Sequence, residues 1–471
     1  MSPGHVTELA VAPARMLRFP PLAAFDDRGE ILGGNQLDET HDPSRRSWIA
    51  SANVSNADFP IQNLPLGVFR RGGSLEEPRI GIAIGDFILD LREIAARIEQ
   101  EIEGASQFLG APSLAPLMNQ KPGVWSALRK LIFRFLEAGS TSRHVCQPHL
   151  VPMHAAEMLM PVRPGGFIDF FASIQHATNA GRLFRPASPL LPNYKYVPIG
   201  YNGRTSTIRC SGAEISRPNG QRKPAGQDQP DFGPSRQLDF EMELGIFLGG
   251  HTQIGQPVPI ADAWSHIFGF CLLNDWSARD IQAWEYQPLG PFLGKTFATS
   301  ISPWIITADA LRPFRIPAFA RAAGDPTPLP YLFNAGDQDS GSVDVKIEVW
   351  FRSESMSADS RPSRQIGAAS TSELYWTPAQ LIAHQTSNGC NIEAGDLYGT
   401  GTVSGETEHS LGSFLEITLA GQKPVTICDG VTRTFLEDGD EVTLKGRCRR
   451  SGFVSIGFGA CSGVIVPGPA M

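Results

Sequence analysis

The length and composition of the chain predict a globular protein of two domains, because 471 residues are too many for one ordinary core and 41% of them are hydrophobic. The formal net charge of −8 argues against a general nucleic-acid binder, which needs a basic face. No apolar run approaches the ~18 residues of a membrane span, so no membrane partner is expected.

Residues 1–48 differ from the rest of the chain and predict a poorly ordered extension. They lack the continuous apolar segment of a secretory signal, and the stretch GGNQLDETHDPSRRS is polar and rich in turn formers. Acidic residues appear early, which is untypical of a transit peptide.

The next stretch, residues 49–160, predicts a small first domain. Two apolar runs flank Gly85 and Asp86 and indicate a β-hairpin, and a helix is expected from about Leu91. A second helix is indicated by apolar residues at 3.6-residue spacing between Gly123 and Gly139. No cluster of catalytic residue types occurs here, so we expect a structural domain or one that completes an interface.

Residues 161–471 predict a second, mainly antiparallel β domain with a few helices, because short apolar strands alternate with Gly/Pro turns. TFLEDGDEVTLKG indicates a hairpin that turns at Asp438, Gly439 and Asp440. Thr377 can cap a helix that begins at Pro378.

The seven cysteines are scattered, odd in number and without a C-x-x-C pair. A disulfide framework or a zinc site is therefore not expected. Reduced thiols in a cytoplasmic protein are the simplest interpretation.

Alternation in LDFEMELGIFLGG predicts a strand with Asp239, Glu241 and Glu243 on one face. One interpretation is a solvated strand face. The other is a site for a hard cation, since oxygen ligands suit magnesium or calcium.

The stretch NDWSARDIQAWEYQPLGPFLGKTF predicts a helix with one polar stripe. Asp275, Arg279, Gln282 and Tyr286 would share that face, and tight turns would then deliver Lys295. A solvent face usually carries Lys and Glu, so this set is more typical of a pocket than of an exposed surface.

Two further stretches carry candidate residues. Asp169 and His176 lie among aromatic and small residues, where a lone histidine is more often packed than catalytic. Glu416 is an isolated acid in the expected strand FLEITL, and a histidine would serve as its partner. The nearby glycine-rich turn precedes a strand pattern, so a dinucleotide loop is not expected, and the chain has no G-x-S-x-G elbow.

Several long strings resemble the fumarylacetoacetase family of two-domain type. They are DFPIQNLPLGVF, IDFFASIQHATNAGRLFRP, VPIGYNGRTSTI, DFEMELGIF, NDWSARDIQAWEYQPLGPFLGKTF, NGCNIEAGDL and GTVSGETEHSLGSFLE. The first of them is similar to the N-terminal domain of the family. The resemblance implies a small SH3-like barrel and a large mixed β-roll catalytic domain, assembled as a homodimer.

The resemblance also implies hydrolysis of a carbon–carbon bond in a diketo-diacid, 4-fumarylacetoacetate, in tyrosine and phenylalanine degradation, with Mg²⁺ or Ca²⁺ as cofactor. It implies metal ligands at Asp169, Glu241, Glu243 and Asp275, with Lys295 and Thr299 helping to hold a second, structural cation. It implies catalytic roles for His176, Glu416, Arg279, Gln282 and Lys295. It implies substrate contacts from Phe171, Arg185, Tyr201, Gln282, Tyr286 and Thr402.

Phe171 departs from the family pattern, which has tyrosine at this position. One hydroxyl that would touch the substrate is therefore missing, and weaker or altered binding is expected at that end. The alternative within the same class is an acylpyruvase-like hydrolase of a different 1,3-diketo acid. A catalytically silent dimeric scaffold is the alternative from another class.

Overall fold

The structure is a computed structural model that describes residues 36–224 and 226–469. Most of the expected extension, residues 1–35, lies outside the described residues. Residues 38–48 pack against both domains, contrary to the expectation of poor order. His41 Nε2 lies 2.8 Å from the carbonyl oxygen of Asp309, and the Ser47 hydroxyl donates to the carbonyl of Leu136 at 2.8 Å. These hydrogen bonds are long-range, and so local composition did not reveal them.

The first domain is built on one antiparallel sheet with short helices. Its elements are β1 (Leu66–Arg71), β2 (Arg79–Ile84), β3 (Phe87–Asp90), α1 (Ala95–Glu99), α2 (Ala105–Leu109), α3 (Ala115–Met118), α4 (Pro122–Leu136), α5 (Arg143–Cys146), β4 (Leu150–Pro152) and β5 (Ala156–Leu159). The strand order is β4-β3-β2-β1-β5. The expected hairpin is β2–β3. Helix α1 begins four residues later than expected from Leu91, and Gly123 lies inside the first turn of α4.

The second domain contains many short strands. They are β6 (Phe167–Phe170), β7 (Gly200–Asn202), β8 (Ile208–Cys210), β9 (Ala213–Ser216), β10 (Asn219–Arg222), β11 (Asp231–Pro234), β12 (Leu238–Asp239), β13 (Met242–Leu248), β14 (Ile267–Asp275), β15 (Ser277–Ala278), β16 (Thr299–Ile301), β17 (Ile306–Thr307), β18 (Arg315–Ile316), β19 (Ser342–Val343), β20 (Lys346–Arg352), β21 (Arg364–Ser370), β22 (Leu397–Gly399), β23 (Val425–Cys428), β24 (Val431–Arg433), β25 (Glu441–Cys448) and β26 (Ile456–Val466). Its helices are α6 (Ile174–Phe184), α7 (Arg279–Glu285), α8 (Ala335–Ser340), α9 (Glu354–Ala358), α10 (Pro378–Thr386) and α11 (Phe414–Ile417).

Two large sheets organise this domain. One has the order β7-β6-β22-β13-β14-β16-β8, with β17 also paired to β14, and the other has the order β21-β20-β25-β26-β9. Their pairings are antiparallel except for β6 with β22, β8 with β16 and β9 with β26. The expected fold class, mainly β with a small N-terminal domain and a large β-roll domain, is confirmed.

The sheet that contains β13 and β14 is buried on both faces. Leu272 packs into the core of the second domain, whereas its neighbour Leu273 packs into a core shared with the first domain. Strands that are buried on both faces usually have continuous apolar sequences, which accounts for IFGFCLL in β14. None of the described helices is long and apolar enough to span a membrane.

Four local predictions are wrong, and α10 is right. Thr377 caps α10 through a reciprocal hydrogen bond with Gln380. The strand expected over residues 238–250 is interrupted between β12 and β13. The hairpin expected over residues 434–446 does not form. Its turn exists, but Leu436 pairs with Leu238 instead, and β25 pairs with β20 and β26. Long-range pairing therefore overrides the local alternation.

The third wrong prediction concerns the polar stripe from Asp275 to Tyr286. Asp275 ends strand β14, where it pairs with Thr299, and the helix begins only at Arg279. Glu416 likewise lies in the short helix α11 and not in a strand. The Ser413 side chain accepts a hydrogen bond from the backbone N–H of Glu416, which favours a helical turn there.

Candidate active site

Four carboxylates converge in the interior of the second domain. Asp169, Glu241, Glu243 and Asp275 are all buried, and one oxygen of each lies within 4.8 Å of the others. The side chains come from the end of β6, from the gap before β13, from β13 itself and from the last residue of β14. The interruption between β12 and β13 therefore supplies one member of the cluster, Glu241.

Strand pairing explains how these residues meet. Glu243 lies on β13, which pairs with both β14 and β22, and β22 pairs in parallel with β6 so that Gly399 lies beside Asp169. A Cβ on Gly399 would lie 2.8 Å from Asp169 Oδ1 and 2.9 Å from Glu243 Oε2. The two carboxylates thus occupy the space that a side chain at this position would fill.

The electrostatics of the cluster fit a divalent cation. Burial, reinforced by the Asp275 carboxylate, raises the pKa of Asp169 well above its usual range, and burial with the Asp169 charge does the same to the pKa of Glu243. Asp169 Oδ1 and Glu243 Oε1 are buried and accept no hydrogen bond from any residue that the structure describes. Unpaired oxygens in an oxygen-only donor set fit Mg²⁺ or Ca²⁺.

Asp275 is held by three polar partners. Thr299 donates to its Oδ1 at 2.8 Å, and Tyr201 and Lys295 each donate to its Oδ2 at 2.8 Å. Burial lowers the pKa of the Lys295 ammonium, but the charges of Asp275 and Glu241 outweigh burial and raise that pKa. Since a protonated ammonium has no lone pair, the Lys295 side chain serves the cluster as a cation and not as a metal ligand.

Arg279 lies on the other side of Glu241. Its Nη1 is 2.7 Å from Glu241 Oε1 and donates to Gln282 Oε1 at 3.2 Å. Burial raises the pKa of Glu241, but the charges of Lys295 and Arg279 outweigh it and hold that pKa below its usual range. Glu241 is therefore an ionised link between two cations.

His176 and Glu416 form a buried pair. His176 Nδ1 lies 2.7 Å from Glu416 Oε2. Helix α6 carries His176 three residues after Ser173, whose hydroxyl caps the helix and accepts from the His176 backbone N–H. Burial raises the pKa of Glu416, but the partnership with His176 outweighs it and lowers that pKa. This arrangement leaves Nε2 of the imidazole to exchange a proton with a substrate or water.

Sequence reasoning missed three residues around Glu416. Asn179 Nδ2 donates to Glu416 Oε1 at 2.9 Å, and the hydroxyls of Ser404 and Ser413 donate to Oε2 at 2.7 and 3.0 Å. Asn179 follows His176 by three residues, so helical spacing on α6 could have revealed it. Ser413 precedes Glu416 by three residues, so the S-x-x-E pattern of a helix start could have revealed it. Ser404 is brought in by the fold, without a local signal.

The remaining residues that the resemblance implies as substrate contacts are Phe171, Arg185, Tyr286 and Thr402. The Phe171 ring meets the His176 ring edge-on, with centroids 5.3 Å apart. Tyr286 follows α7, and its ring is tilted against that of Phe184, with the ring centroids 6.4 Å apart. Arg185 Nε and Thr402 Oγ1 are buried and have no hydrogen-bond partner among the described residues. Free polar groups of this kind are available to a ligand.

Comparison with known proteins links most of the chain to one group. The family model described as "Fumarylacetoacetase N-terminal" matches residues 62–161, and "Fumarylacetoacetate (FAA) hydrolase C-terminal" matches residues 167–466. Fumarylacetoacetase of Oryza sativa subsp. japonica is 43% identical over 431 residues, covering 90% of this chain and 97% of the relative. That of Homo sapiens is 41% identical over 422 residues, covering 88% and 97%. A solved fumarylacetoacetate hydrolase from Exiguobacterium antarcticum is 18% identical and covers 86% of this chain and 99% of its own, with a TM-score of 0.47.

Proposed function

The chain belongs to the fumarylacetoacetase family, and on that premise we propose that it hydrolyses the carbon–carbon bond of 4-fumarylacetoacetate to fumarate and acetoacetate, the last step of tyrosine and phenylalanine degradation. The observation that carries this proposal is the pairing of His176 with Glu416 in the same interior as four buried carboxylates. A histidine base beside a hard-cation site suits the addition of water to a diketone.

Asp169, Glu241, Glu243 and Asp275 would hold the divalent cation, Mg²⁺ or Ca²⁺. When bound, the cation supplies Lewis-acid polarisation of the two keto oxygens of the substrate. Thr299 and Lys295 are proposed to help hold a second, structural cation, Lys295 through its backbone carbonyl because its ammonium has no lone pair.

His176 is the proposed general base. It takes a proton from water at Nε2, while ionised Glu416 orients the ring and stabilises the imidazolium that forms. The hydroxide adds to the carbonyl carbon on the fumaryl side, and the carbonyl oxygen becomes a tetrahedral oxyanion. The low pKa of Glu416 keeps its carboxylate charged for this step.

Arg279, Gln282 and Lys295 are proposed to stabilise the oxyanion, since donors placed before the reaction are most effective in a buried site. Arg279 Nη2 is a buried donor without a partner among the described residues. Collapse of the tetrahedral species breaks the carbon–carbon bond, releases fumarate, and leaves the electron pair on acetoacetate as an enolate. The proton held by His176 then returns to the enolate carbon.

The proposed substrate contacts are those that the family resemblance implies, namely Phe171, Arg185, Tyr201, Gln282, Tyr286 and Thr402. The Nε of Arg185, which has no hydrogen-bond partner in the described part of the chain, supports recognition of a carboxylate, because a guanidinium binds carboxylates well. We further propose a cytoplasmic homodimer with a first domain over residues 49–160 and a catalytic domain over residues 161–471.

To test this proposal, the purified protein is incubated with 4-fumarylacetoacetate and either Mg²⁺ or Ca²⁺, and the release of fumarate is measured. Fumarate release that requires the cation supports the proposal. Absence of release from fumarylacetoacetate, together with turnover of acylpyruvates, would reject it in favour of a second candidate, a hydrolase of another 1,3-diketo acid.

That second candidate is favoured by one feature, the Phe171 ring that meets His176 without a hydroxyl. Comparison of the wild type with Phe171→Tyr on both substrates separates the two activities. If the natural substrate is fumarylacetoacetate, tyrosine should lower its KM by about 2- to 10-fold, which is the worth of one hydrogen bond. Phe292→Tyr, at an exposed position, is the control.

A further inference from the structure

Asp239 shares an alternating strand pattern with Glu241 and Glu243, but its carboxylate bonds Arg279 and three backbone N–H groups. Its side chain is fully buried and accepts four hydrogen bonds. Oδ1 accepts from the backbone N–H of Phe240 at 2.8 Å and of Phe414 at 2.7 Å. Oδ2 accepts from Arg279 Nε at 2.8 Å and from the backbone N–H of Leu415 at 2.9 Å.

One end of this network fixes the direction of the Arg279 guanidinium. Asp239 holds Nε, while Glu241 and Gln282 hold Nη1. Because the guanidinium is planar and rigid, fixing these two nitrogens also fixes the third, Nη2. Nη2 is the nitrogen that has no partner among the described residues, so Asp239 determines where the available donor points.

The other end fixes the turn that carries Glu416. Phe414 and Leu415 are the first two residues of α11, which spans only Phe414–Ile417. So short a helix is not stable by itself, and its first N–H groups need external acceptors. Asp239 accepts from both of them and thereby sets the position of Glu416, which lies 2.7 Å from His176 Nδ1.

We propose that Asp239 is a positioning residue that aligns the oxyanion donor Arg279 and the base partner Glu416 at the same time. This inference rests on the proposed function for its kinetic consequence. Asparagine cannot replace the aspartate, because its single oxygen cannot accept from all four donors and its amide N–H groups would face other N–H groups.

The test compares metal-loaded, full-length Asp239→Asn with Asp440→Asn. Asp440 is an equally buried carboxylate that accepts from both Arg433 Nε and Nη2 and from the backbone N–H of Glu437. We expect Asp239→Asn to lower kcat by about 10- to 100-fold with KM within about twofold of the wild type, because donors act on the transition state. Asp440→Asn should leave kcat unchanged. If Asp239→Asn does not fold, Asp239→Ser is used, since its smaller hydroxyl can rotate to accept.

A double-mutant cycle with Glu416→Gln tests the coupling itself. If Asp239 acts through Glu416, the double variant loses less activity than the product of the two single losses, whereas Asp440→Asn combines multiplicatively. A wild-type kcat in Asp239→Asn, or a multiplicative combination with Glu416→Gln, would overturn the inference.

A readout without substrate separates this inference from the proposed function. The measurement is proton NMR of the His176 imidazole proton that is hydrogen-bonded to Glu416. The resonance to be followed is the one that disappears in His176→Ala. We expect Asp239→Asn to shift or broaden this resonance and Asp440→Asn to preserve it. An unmoved resonance in Asp239→Asn contradicts the positioning role even if the wild type does not hydrolyse fumarylacetoacetate, which would be a failure of the proposed function alone.

Discussion

His176 Nδ1 and Glu416 Oε2 lie 2.7 Å apart although 240 residues separate them in the chain. Both side chains are almost wholly buried, at 4% and 0% exposure. A carboxylate that accepts from the imidazole Nδ1–H fixes the tautomer and directs Nε2 toward a reactant. Our first prediction concerns this pair.

His176→Ala should lower kcat by at least about 100-fold, the usual contribution of a general base, while the fold and the metal content stay intact. His154→Ala, at an exposed position, is the control and should match the wild type. Steady-state kinetics, thermal unfolding and metal analysis are measured together. Retained turnover in His176→Ala would remove His176 from its proposed role.

The second prediction concerns Asn179, which donates to Glu416 Oε1. Asn179→Leu should raise the pKa of Glu416 because the ionised form loses a donor, and the acid limb of the kcat/KM profile should move to higher pH. Since Glu416 has a lowered pKa in the folded state, its stabilising effect is present above its ordinary pKa and is lost as pH falls through the folded value.

The variant should therefore lose about 1 kcal/mol of stability at pH 7 and less at low pH. Thr178→Val, on the same helix, removes a hydroxyl that bonds the Ile174 carbonyl and not Glu416, so its pH profile should not move. An unchanged acid limb in Asn179→Leu would show that this amide does not support the ionised carboxylate.

The third prediction concerns the pH dependence of metal binding. The pKa values of Asp169 and Glu243 are raised in the metal-free fold, so these groups bind protons that the unfolded chain has released. Their contribution to stability is therefore lost as pH rises, and a divalent cation restores it by replacing the protons.

The increase in Tm on adding Mg²⁺ or Ca²⁺ to chelator-treated protein should consequently grow between pH 5 and pH 8. Asp169→Asn should show a smaller increase that depends less on pH. The increase in Tm is measured by thermal unfolding with and without the cation at each pH. An increase that is equal at all pH values would argue against a carboxylate site.

The fourth prediction concerns Gly399. Alanine there would place a methyl group 2.8 Å from Asp169 Oδ1 and 2.9 Å from Glu243 Oε2, which is closer than van der Waals contact. Gly399→Ala should weaken cation affinity by about 10-fold or more, because one misplaced ligand is enough to do so. The control is Gly123→Ala in helix α4, where no atom of residues 36–224 or 226–469, apart from its chain neighbours and its own helix backbone, lies within 4 Å of the added carbon. A gain in stability of about 0.5 kcal/mol is expected for it. Calorimetric titration with Ca²⁺ measures the affinity, and a normal value in Gly399→Ala would refute this steric account.

Local patterns in the sequence were enough to predict several elements. The turn at Gly85 and Asp86, and the cap and proline that begin α10, depend on neighbouring residues only, and both elements form as expected. Period-2 alternation also predicted that Glu241 and Glu243 lie on one side of a strand, and the structure brings both into the carboxylate cluster.

Patterns failed where distant segments compete for the same backbone or side chain. Alternation grouped Asp239 with Glu241, yet Asp239 turns to Arg279 and to the start of α11. Helical spacing placed Asp275 on a helix, yet pairing with Thr299 extends β14 through it. In both cases hydrogen bonds to segments far along the chain outweigh local preference.

The sequence by itself determined the chemistry that is available: oxygen ligands, a histidine, an acid to partner it, and the resemblance that joins them. Only the tertiary structure decided which groups meet. It paired Lys295 with Glu241 and Asp275, brought Asn179 and Ser404 to Glu416, and left Asp169 Oδ1 and Glu243 Oε1 without a hydrogen-bond partner among the described residues. The physical reason is that ionised groups in a buried site depend on neighbours within a few ångströms, and those neighbours come from strands and helices that the fold, and not the chain order, brings together.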